Sequence, residues 1–189
     1  MKRGRLIVVS APSGCGKGTI LGRVLQDRER FFYSVSATTR APREGEENGV
    51  HYLFYTREAF ERCIKGELFL EYAEYCGNYY GTPLAPIEVH LNMGQDVILE
   101  IEVQGAMQIR EKRPDASFIF IAPPSPAALR ERLTNRGTED AETIEKRVQQ
   151  AEKELTCVDA YDYCVINDDL DTAVADFLAV VRAIELKVK

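Results

Sequence analysis

Short apolar runs alternate along the chain with stretches in which apolar residues recur every three or four positions. The runs are typical of strands buried in a parallel sheet, and the intervening periodicity is typical of amphipathic helices. The predicted buried strands are Leu6–Ser10, Val97–Glu102, Ser117–Ala122 and Tyr163–Asn167. The predicted helices cover residues 20–25, 86–93, 104–113, 126–136, 143–157 and 171–188. This order predicts an α/β fold, a parallel sheet with helices on both faces.

Residues 34–84 have a different pattern. Short strands with polar or aromatic alternation are predicted at 34–40, 51–55 and 68–75, with a tight turn at 76–82. A short helix at 56–65 has Thr56 as its predicted N-cap and stops at Gly66. Residues 28–33 are expected to be a polar exit from the first helix. The pattern therefore predicts a small, mostly β insertion.

The composition limits the class of protein. The chain has 189 residues, long enough for one layered core with inserted segments. Its net charge of −6 argues against nucleic acid or an acidic membrane as a partner. No apolar run approaches the roughly 20 residues that span a bilayer. We expect a cytoplasmic, soluble protein that meets anionic substrates through local clusters of Arg and Lys.

The five cysteines are scattered, without a C-x-x-C pair, so neither a disulfide framework nor a zinc site is predicted. Cys15 lies beside Lys17 at a predicted helix N-terminus, which could lower its thiol pKa and allow a redox role. The interpretation of Cys15 as a small packing residue is favoured over that one.

The first strand leads into the glycine-rich stretch APSGCGKGT. Backbone N–H groups of such a loop converge on phosphate oxygens, and a lysine in the next turn reaches the β- and γ-phosphates. The stretch departs from G-x-x-x-x-G-K-[ST] at Ala11 and at Gly18, where a metal-binding hydroxyl is usual. The predicted nucleotide-binding residues are Ala11, Pro12, Ser13, Gly14, Cys15, Gly16, Lys17, Gly18 and Thr19.

Two further groups of charges suit an anionic substrate or its metal ion. Arg40 and Arg43 flank Pro42 and could bind an anion, although surface charges are the commoner interpretation of such a pair. Glu100 and Glu102 end a predicted strand and are expected to face the phosphate loop, because ligands gather at the carboxyl ends of parallel strands. The polar turn at 136–138 is predicted to be a mobile flap.

Five segments in register carry a resemblance to the guanylate kinase family: SAPSGCGKGT, SVSATTRAPREGE, GNYYGTP, IFIAPPSPAALRERLTNRGTE and VINDDLD. The resemblance covers about residues 5–187. It implies a P-loop NTPase-type core in a domain at 4–184. The core comprises 1–33, 85–124 and 158–189, with a GMP-binding insertion at 34–84 and a helical lid with flanking helices at 125–157. The implied activity is reversible phosphoryl transfer from ATP to GMP, giving ADP and GDP for GMP recycling, with dGMP as a further candidate substrate.

The resemblance also assigns site residues. It places Ser36, Glu71 and Thr82 on guanine, and Lys17 with the lid-region arginines on the transferring phosphoryl group. The implied GMP phosphate ligands are Arg40, Arg43, Tyr52 and Tyr80. The implied lid-region arginines are Arg132, Arg136 and Arg147. The family usually has Asp at positions 100 and 102, and whether Glu100 and Glu102 here contact GMP or the metal ion stays open.

Mg²⁺ is the implied cofactor. Because Gly18 supplies no hydroxyl, where the family usually has Ser, the ion is expected to bind through phosphates and waters, with Thr19 and Glu100 as candidate protein contacts. Adenylate kinases carry the same Gly-Lys-Gly-Thr step. The alternatives are a kinase for another nucleoside monophosphate and a non-catalytic, phosphopeptide-binding module. Lys17 and the lid-region arginines favour an enzyme, and the sequence leaves a monomer or a homo-oligomer open.

Overall fold

The computed structural model describes residues 2–134 and 141–188. Within these ranges the chain forms nine strands, seven α-helices and one short 3-10 helix, Val158–Ala160. The strands are β1 (Leu6–Ser10), β2 (Phe31–Tyr33), β3 (Ala37–Thr38), β4 (Leu53–Phe54), β5 (Phe69–Tyr75), β6 (Asn78–Pro83), β7 (Asp96–Glu100), β8 (Ser117–Ala122) and β9 (Tyr163–Ile166). The helices are α1 (Lys17–Val24), α2 (Arg57–Lys65), α3 (Leu84–Asn92), α4 (Val103–Lys112), α5 (Pro126–Thr134), α6 (Ala141–Leu155) and α7 (Leu170–Leu186).

The strands form two sheets. The five-stranded sheet has the order β2-β7-β1-β8-β9, and the four-stranded sheet has the order β4-β3-β6-β5. In the larger sheet β2 runs parallel to β7, with Tyr33 opposite Ile98, and β8 runs parallel to β9, with Ala122 opposite Ile166. The predicted α/β fold with a parallel sheet is therefore confirmed.

The chain divides into two compact units. The first unit comprises Met1–Ile7, Glu29–Glu100 and Gln104–Ala116, and the second comprises Val8–Arg28, Ile101–Val103 and Ser117–Lys189. The four-stranded sheet belongs to the first unit. The boundaries proposed for core, insertion and lid stay a prediction.

The four-stranded sheet of the first unit is held together around one phenylalanine. Phe60 of α2 is fully buried and stacks on Phe69 with ring centroids 4.3 Å apart and on Tyr79 at 5.3 Å. The α2 helix begins as predicted, with the Thr56 side chain accepting a hydrogen bond from the N–H of Ala59 at 3.2 Å. The capped helix thus presents its apolar face to the sheet.

The turn of the hairpin between β5 and β6 consists of Cys76 and Gly77. It is shorter than the turn predicted at 76–82, because residues 78–83 form β6. Cys76 and Gly77 have positive φ, 50° and 76°, as a two-residue hairpin turn of the common type requires. The turn sets an antiparallel register in which Glu71 lies opposite Thr82. Two polar side chains that are eleven residues apart are thereby placed on the same face of the sheet.

The second unit has an aromatic and aliphatic core of its own. Val103, Phe120 and Ala122 are buried, and Leu155 and Tyr161 pack against them. Helix α7 begins where the Asp169 carboxylate accepts from the N–H of Thr172 at 2.9 Å, an N-cap interaction. The sequence pattern predicted a helix from residue 171 and did not identify this cap.

The structure corrects the interpretation of residues 28–33 as a polar exit. Phe31–Tyr33 is a strand of the five-stranded sheet, and Phe31 is buried. Three residues after a charged segment carry too short a pattern to predict a strand, so pairing with β7 decides the conformation. The predicted strands at 34–40 and 51–55 are each reduced to two residues, β3 and β4.

The ends of several helices differ from the prediction by about two residues. Helix α3 begins at Leu84, which places Pro86 in its first turn, where proline is tolerated because the N–H groups there have no partner within the helix. The turn at 136–138, predicted as a flap, lies outside the described residues.

Among the helices that the structure describes, none is both long and apolar enough to cross a membrane.

The central position of Phe60 leads to a stability prediction. We expect Phe60→Ala to lower the free energy of unfolding by about 3–5 kcal/mol, because it removes a fully buried ring and leaves a cavity. Tyr75→Ala is the control, since Tyr75 is 70% exposed and its loss should change that free energy by no more than about 0.5 kcal/mol. Urea titration followed by circular dichroism measures both variants. Equal losses in the two would contradict the assignment of Phe60 to the core.

Candidate active site

The predicted phosphate loop joins buried β1 to helix α1. Gly14 and Gly16 have φ of 88° and 80°, in the left-handed region that side chains disfavour. Gly16 is the N-cap of α1, no side chain caps the helix, and its first turn carries no acidic residue. The N-terminus of α1 is therefore a local centre of positive potential without a competing carboxylate in its first turn, as binding of a polyphosphate requires.

Asn167 supports this loop from the end of β9. Its side-chain amide donates to the carbonyl of Cys15 at 2.7 Å, and its backbone N–H donates to the carbonyl of Ala122 at 2.8 Å. A Cβ at Gly16 would collide with the same side chain. No role for Asn167 was predicted from the sequence, although a polar residue at the end of an apolar strand is a signal of one.

Arg132, predicted to bind the transferring phosphoryl group, is hydrogen-bonded to Asn167, the residue that contacts the phosphate loop. Its guanidinium on α5 donates to the carbonyl of Asn167 at 2.8 Å. Arg147 lies half-buried on α6, and an ion pair at 2.8 Å between Arg130 and Glu145 joins α5 to α6. Arg136 lies outside the described residues.

Cys15 is fully buried inside the phosphate loop. Burial raises the pKa of its thiol to about 12, and the nearby Arg132 and Lys17 lower that pKa by less than burial raises it. The suggestion of an overall lowered pKa is therefore wrong: Lys17 does lower the pKa of this thiol, but burial raises it by more. Cys15 is a small packing residue, as the favoured interpretation held.

The charges of Glu102 and Lys17 both affect the pKa of the Glu154 carboxyl on α6. Burial raises the pKa of the Glu154 carboxyl, the negative charge of Glu102 raises it further, and Lys17 lowers it. Glu102 is exposed and belongs to the second unit, together with the phosphate loop. The other residues predicted to bind GMP, Glu100 among them, all belong to the first unit.

Glu71 and Thr82, predicted to contact guanine, form a buried pair in the first unit. Glu71 is 6% exposed and Thr82 is 1% exposed. The Thr82 hydroxyl donates to Glu71 Oε1 at 2.6 Å. Burial raises the pKa of the Glu71 carboxyl, while the Thr82 hydrogen bond and the nearby Lys112 lower it. The pair therefore presents an oriented carboxylate that is largely removed from water.

Arg40, predicted to bind the GMP phosphate, holds a carboxylate in this structure. Its guanidinium donates to both Glu46 oxygens, at 2.9 and 3.0 Å, and the same carboxylate accepts from the backbone N–H of Arg43 at 2.7 Å. These donors lower the pKa of Glu46 to about 2. No role for Glu46 was predicted from the sequence, because it lies in a loop with other glutamates.

The two predicted tyrosines lie beside Arg40. Tyr52 and Tyr80 have ring centroids 6.1 Å apart, and the Arg40 guanidinium lies 5.4 Å from the Tyr52 ring centre. Burial, and to a lesser extent Tyr80, raise the pKa of Tyr52, which keeps its hydroxyl protonated and able to donate to an anion. Ser36 lies one residue before β3, and its carbonyl accepts from the N–H of Leu53.

Glu100 ends β7 and accepts a hydrogen bond from the Tyr33 hydroxyl at 2.9 Å. Burial and the Glu100 charge raise the pKa of Tyr33 well above its usual range. Tyr33 lies within residues 28–33, the segment predicted as a polar exit from the first helix, so no role was predicted for it from the sequence. In the part of the chain that the structure describes, no group of three or more His, Cys, Asp and Glu side chains could hold a metal ion.

Comparison with known proteins gives consistent results. A family model described as guanylate kinase matches residues 3–184. The guanylate kinase of Carboxydothermus hydrogenoformans is 51% identical over 189 residues, which are all of this chain and 93% of that protein. The guanylate kinase of Listeria monocytogenes serotype 4b is 51% identical over 187 residues, covering 98% of this chain and 91% of that protein.

Two solved structures are similar. The crystal structure of guanylate kinase from Anaplasma phagocytophilum matches with a TM-score of 0.79 and 34% identity, over 99% of this chain and 89% of that one. A shikimate kinase from Bacteroides thetaiotaomicron, 15% identical with a TM-score of 0.52 over 94% and 98% of the two chains, shares the fold. Fold and loop together define a P-loop kinase. The full-length similarity goes further, and the chain belongs to the guanylate kinase family.

The environment of Cys15 generates a chemical prediction. At pH 8 a thiol with a pKa of about 12 is ionised in roughly one molecule in 10⁴, so iodoacetamide should leave Cys15 unmodified in the folded protein. Cys76 is exposed and should react, which makes it the internal control. Mass spectrometry of the digested protein measures both. Modification of Cys15 as fast as Cys76 would contradict a buried, protonated thiol.

Proposed function

We propose that this protein catalyses reversible transfer of the γ-phosphoryl group of ATP to GMP, giving ADP and GDP. The observation that carries the proposal is the buried Glu71 carboxylate, oriented by Thr82 at 2.6 Å, in a chain whose other unit carries a phosphate loop. Membership in the guanylate kinase family supports the same substrates.

The chemistry of Glu71 suits guanine. Guanine presents its N1–H and its 2-amino group as neighbouring donors, and an ionised carboxylate accepts from two donors at once. Adenine has neither donor at these positions and would leave the buried carboxylate without a partner, which is costly. Thr82 already donates to Glu71 Oε1, and carboxylate oxygens can each accept more than one hydrogen bond, so the carboxylate can still accept from a ligand. We assign Ser36 to the same base.

The phosphate of GMP is assigned to Arg40, Arg43, Tyr52 and Tyr80. The bidentate grip of Arg40 on Glu46 supports this assignment, because a guanidinium that holds a carboxylate in this geometry can hold phosphate oxygens in the same way. The two tyrosines supply hydroxyl donors beside it.

The donor nucleotide is assigned to residues 11–19. Phosphoryl transfer needs positive charge around the equatorial oxygens and little covalent chemistry from the protein. Lys17 on the first turn of α1 supplies charge at the β- and γ-phosphates. Arg132, Arg147 and Arg136 are proposed to surround the transferring group, and the hydrogen bond of Arg132 to the carbonyl of Asn167 holds its guanidinium beside the loop.

The described residues fit a magnesium ion that is held mainly by its substrate. Gly18 offers no hydroxyl, Glu100 is hydrogen-bonded to Tyr33, and no cluster of three ligating side chains occurs in residues 2–134 or 141–188. Mg²⁺ keeps several waters and binds readily through nucleotide phosphates. Thr19 and Glu100 are the proposed protein contacts. When bound, the ion would neutralise charge on the phosphates.

A coupled assay of ADP release tests the activity, with GMP, dGMP, AMP, CMP and UMP compared at equal concentrations. We expect turnover with GMP and little with AMP, CMP or UMP. A preference for another monophosphate would identify a different kinase of the same fold. Binding of phosphopeptides without any turnover would identify a non-catalytic module.

We expect Lys17→Met to lower kcat with GMP by at least about 100-fold, because it removes a positive charge that acts on the transition state. Lys65→Met, at an exposed position on α2, is the control and should keep the wild-type rate. Circular dichroism checks that both variants fold. An unchanged kcat for Lys17→Met would show that the loop does not bind the reacting phosphates.

We expect Glu71→Gln to raise the KM for GMP by about 100-fold or more and to narrow the GMP-over-AMP preference, since an amide accepts only one of the two guanine donors. The KM for ATP is the internal control and should stay within a factor of about two. Steady-state kinetics with each nucleotide varied gives both constants. Unaltered selectivity in this variant would mean that guanine is recognised by other residues.

A further inference from the structure

One face of helix α4 lies along the strand that carries Glu71. Strand β5 is at the edge of the four-stranded sheet. The Gln108 side-chain amide donates to the carbonyl of Tyr72 at 3.2 Å, and the Lys112 ammonium donates to the carbonyl of Leu70 at 2.8 Å. The two donors are four residues apart on the helix, and the two carbonyls flank Glu71 along the strand. The two side chains of α4 thus donate hydrogen bonds to backbone carbonyls of an edge strand, which in the described part of the chain have no partner strand on that side.

The strand is irregular at this place. Phe69 lies opposite Pro83, but Glu71 lies opposite Thr82, so the pairing shifts by one residue between them. Such a bulge redirects the side chains next to it and leaves one residue outside the regular ladder. Here that residue is Leu70, whose carbonyl accepts from Lys112. Lys112 therefore holds the bulge that sets the direction of Glu71.

On the same face of α4, Gly105 lies close to the carboxylate of Glu71. A Cβ at this buried position would lie 2.9 Å from Glu71 Oε2, 3.2 Å from its Cδ and 3.6 Å from its Cγ. Ordinary contacts of a methyl group are several tenths of an ångström longer than the first of these distances. Any side chain at 105 must therefore displace the end of Glu71, the part proposed to contact guanine.

We propose that the α4 face of Gly105, Gln108 and Lys112 fixes the position of the Glu71 carboxylate, and that Gly105 is thereby a positioning residue for guanine selectivity. The inference rests on the proposed function, because it concerns how the proposed guanine site is held. Gly105 leaves room for the carboxylate because it has no side chain. Lys112 donates to the carbonyl of Leu70 in the bulge, and Gln108 donates to the carbonyl of Tyr72 on the other side of Glu71.

The first test is Gly105→Ala. A displaced carboxylate forms longer and poorer hydrogen bonds to its ligand, so we expect the KM for GMP to rise by about 10-fold or more, since a misplacement of about 1 Å costs up to about 10². The GMP-over-AMP preference should fall in parallel. The KM for ATP should stay within a factor of about two.

Gly22→Ala is the matched control. Gly22 is also in a helix, α1, and a Cβ there meets nothing within 4 Å. Both substitutions favour the helix equally by propensity, so a general effect on folding would appear in both variants. We expect wild-type constants for Gly22→Ala, and thermal unfolding compares the stability of the two proteins.

A double-mutant cycle with Glu71→Asp tests the contact directly. Aspartate withdraws the carboxylate by one methylene group, which lowers affinity for GMP in the wild-type background and removes the clash in the Gly105→Ala background. We therefore expect Glu71→Asp to cost less in Gly105→Ala than in the wild type. Losses that simply multiply would overturn the proposal that Gly105 acts through Glu71.

Lys112→Met removes both the donor to the carbonyl of Leu70 and the positive charge near Glu71. It keeps the inference falsifiable if Gly105→Ala fails to fold. We expect a higher KM for GMP with unchanged KM for ATP, and recovery in Lys112→Arg, which keeps a donor for the carbonyl of Leu70. Wild-type constants in both Gly105→Ala and Lys112→Met would overturn the inference while leaving the proposed kinase activity standing. A wild-type protein without any turnover of GMP would overturn both.

Discussion

The uncapped N-terminus of α1 is the feature on which the proposed phosphate binding depends most. The N-terminus of α1 has neither a side-chain cap nor an acidic residue in its first turn, and its N-cap is a glycine in the left-handed conformation. Buried β1 fixes one end of the loop, and Asn167 fixes the middle through the carbonyl of Cys15. The loop is thus held at its start by a buried strand and at Cys15 by one side-chain amide.

The two units recognise their proposed ligands by different physical means. The second unit offers backbone dipoles and the cations Lys17 and Arg132, which suit the charge of any polyphosphate and are nearly indifferent to its base. The first unit offers a buried carboxylate, whose desolvation makes a ligand without matching donors unfavourable. In the guanylate kinase family this division suits the reaction, since the donor phosphates are common to many nucleotides and the acceptor base has to be selected.

The structure also shows the surroundings of two side chains, Cys15 and Glu100, whose roles the sequence pattern did not decide. Cys15 is adjacent to a lysine and a helix N-terminus, yet removal from water outweighs both and raises the pKa of its thiol to about 12. Glu100 lies at the end of a strand, where contact with metal or substrate was expected, and the structure adds a hydrogen bond from the Tyr33 hydroxyl to one of its oxygens. In both cases the environment of the side chain comes from atoms that are distant in the sequence and that no motif contains.

The sequence by itself determined the α/β fold, the phosphate loop and the family, because apolar runs, glycines and five ordered motifs are local features that survive without coordinates. It also predicted the Thr56 cap, but it placed a turn over 76–82, where the structure has a turn at Cys76 and Gly77 followed by strand β6. Only the tertiary structure decided that Phe31–Tyr33 is a strand, since its three residues acquire a partner only from β7. Only the tertiary structure also showed that Arg40 forms hydrogen bonds to Glu46 and that Gly105 lies close to Glu71, thirty-four residues away. Such contacts depend on how loops, strands and helices pack, and they produce no periodic pattern in the sequence.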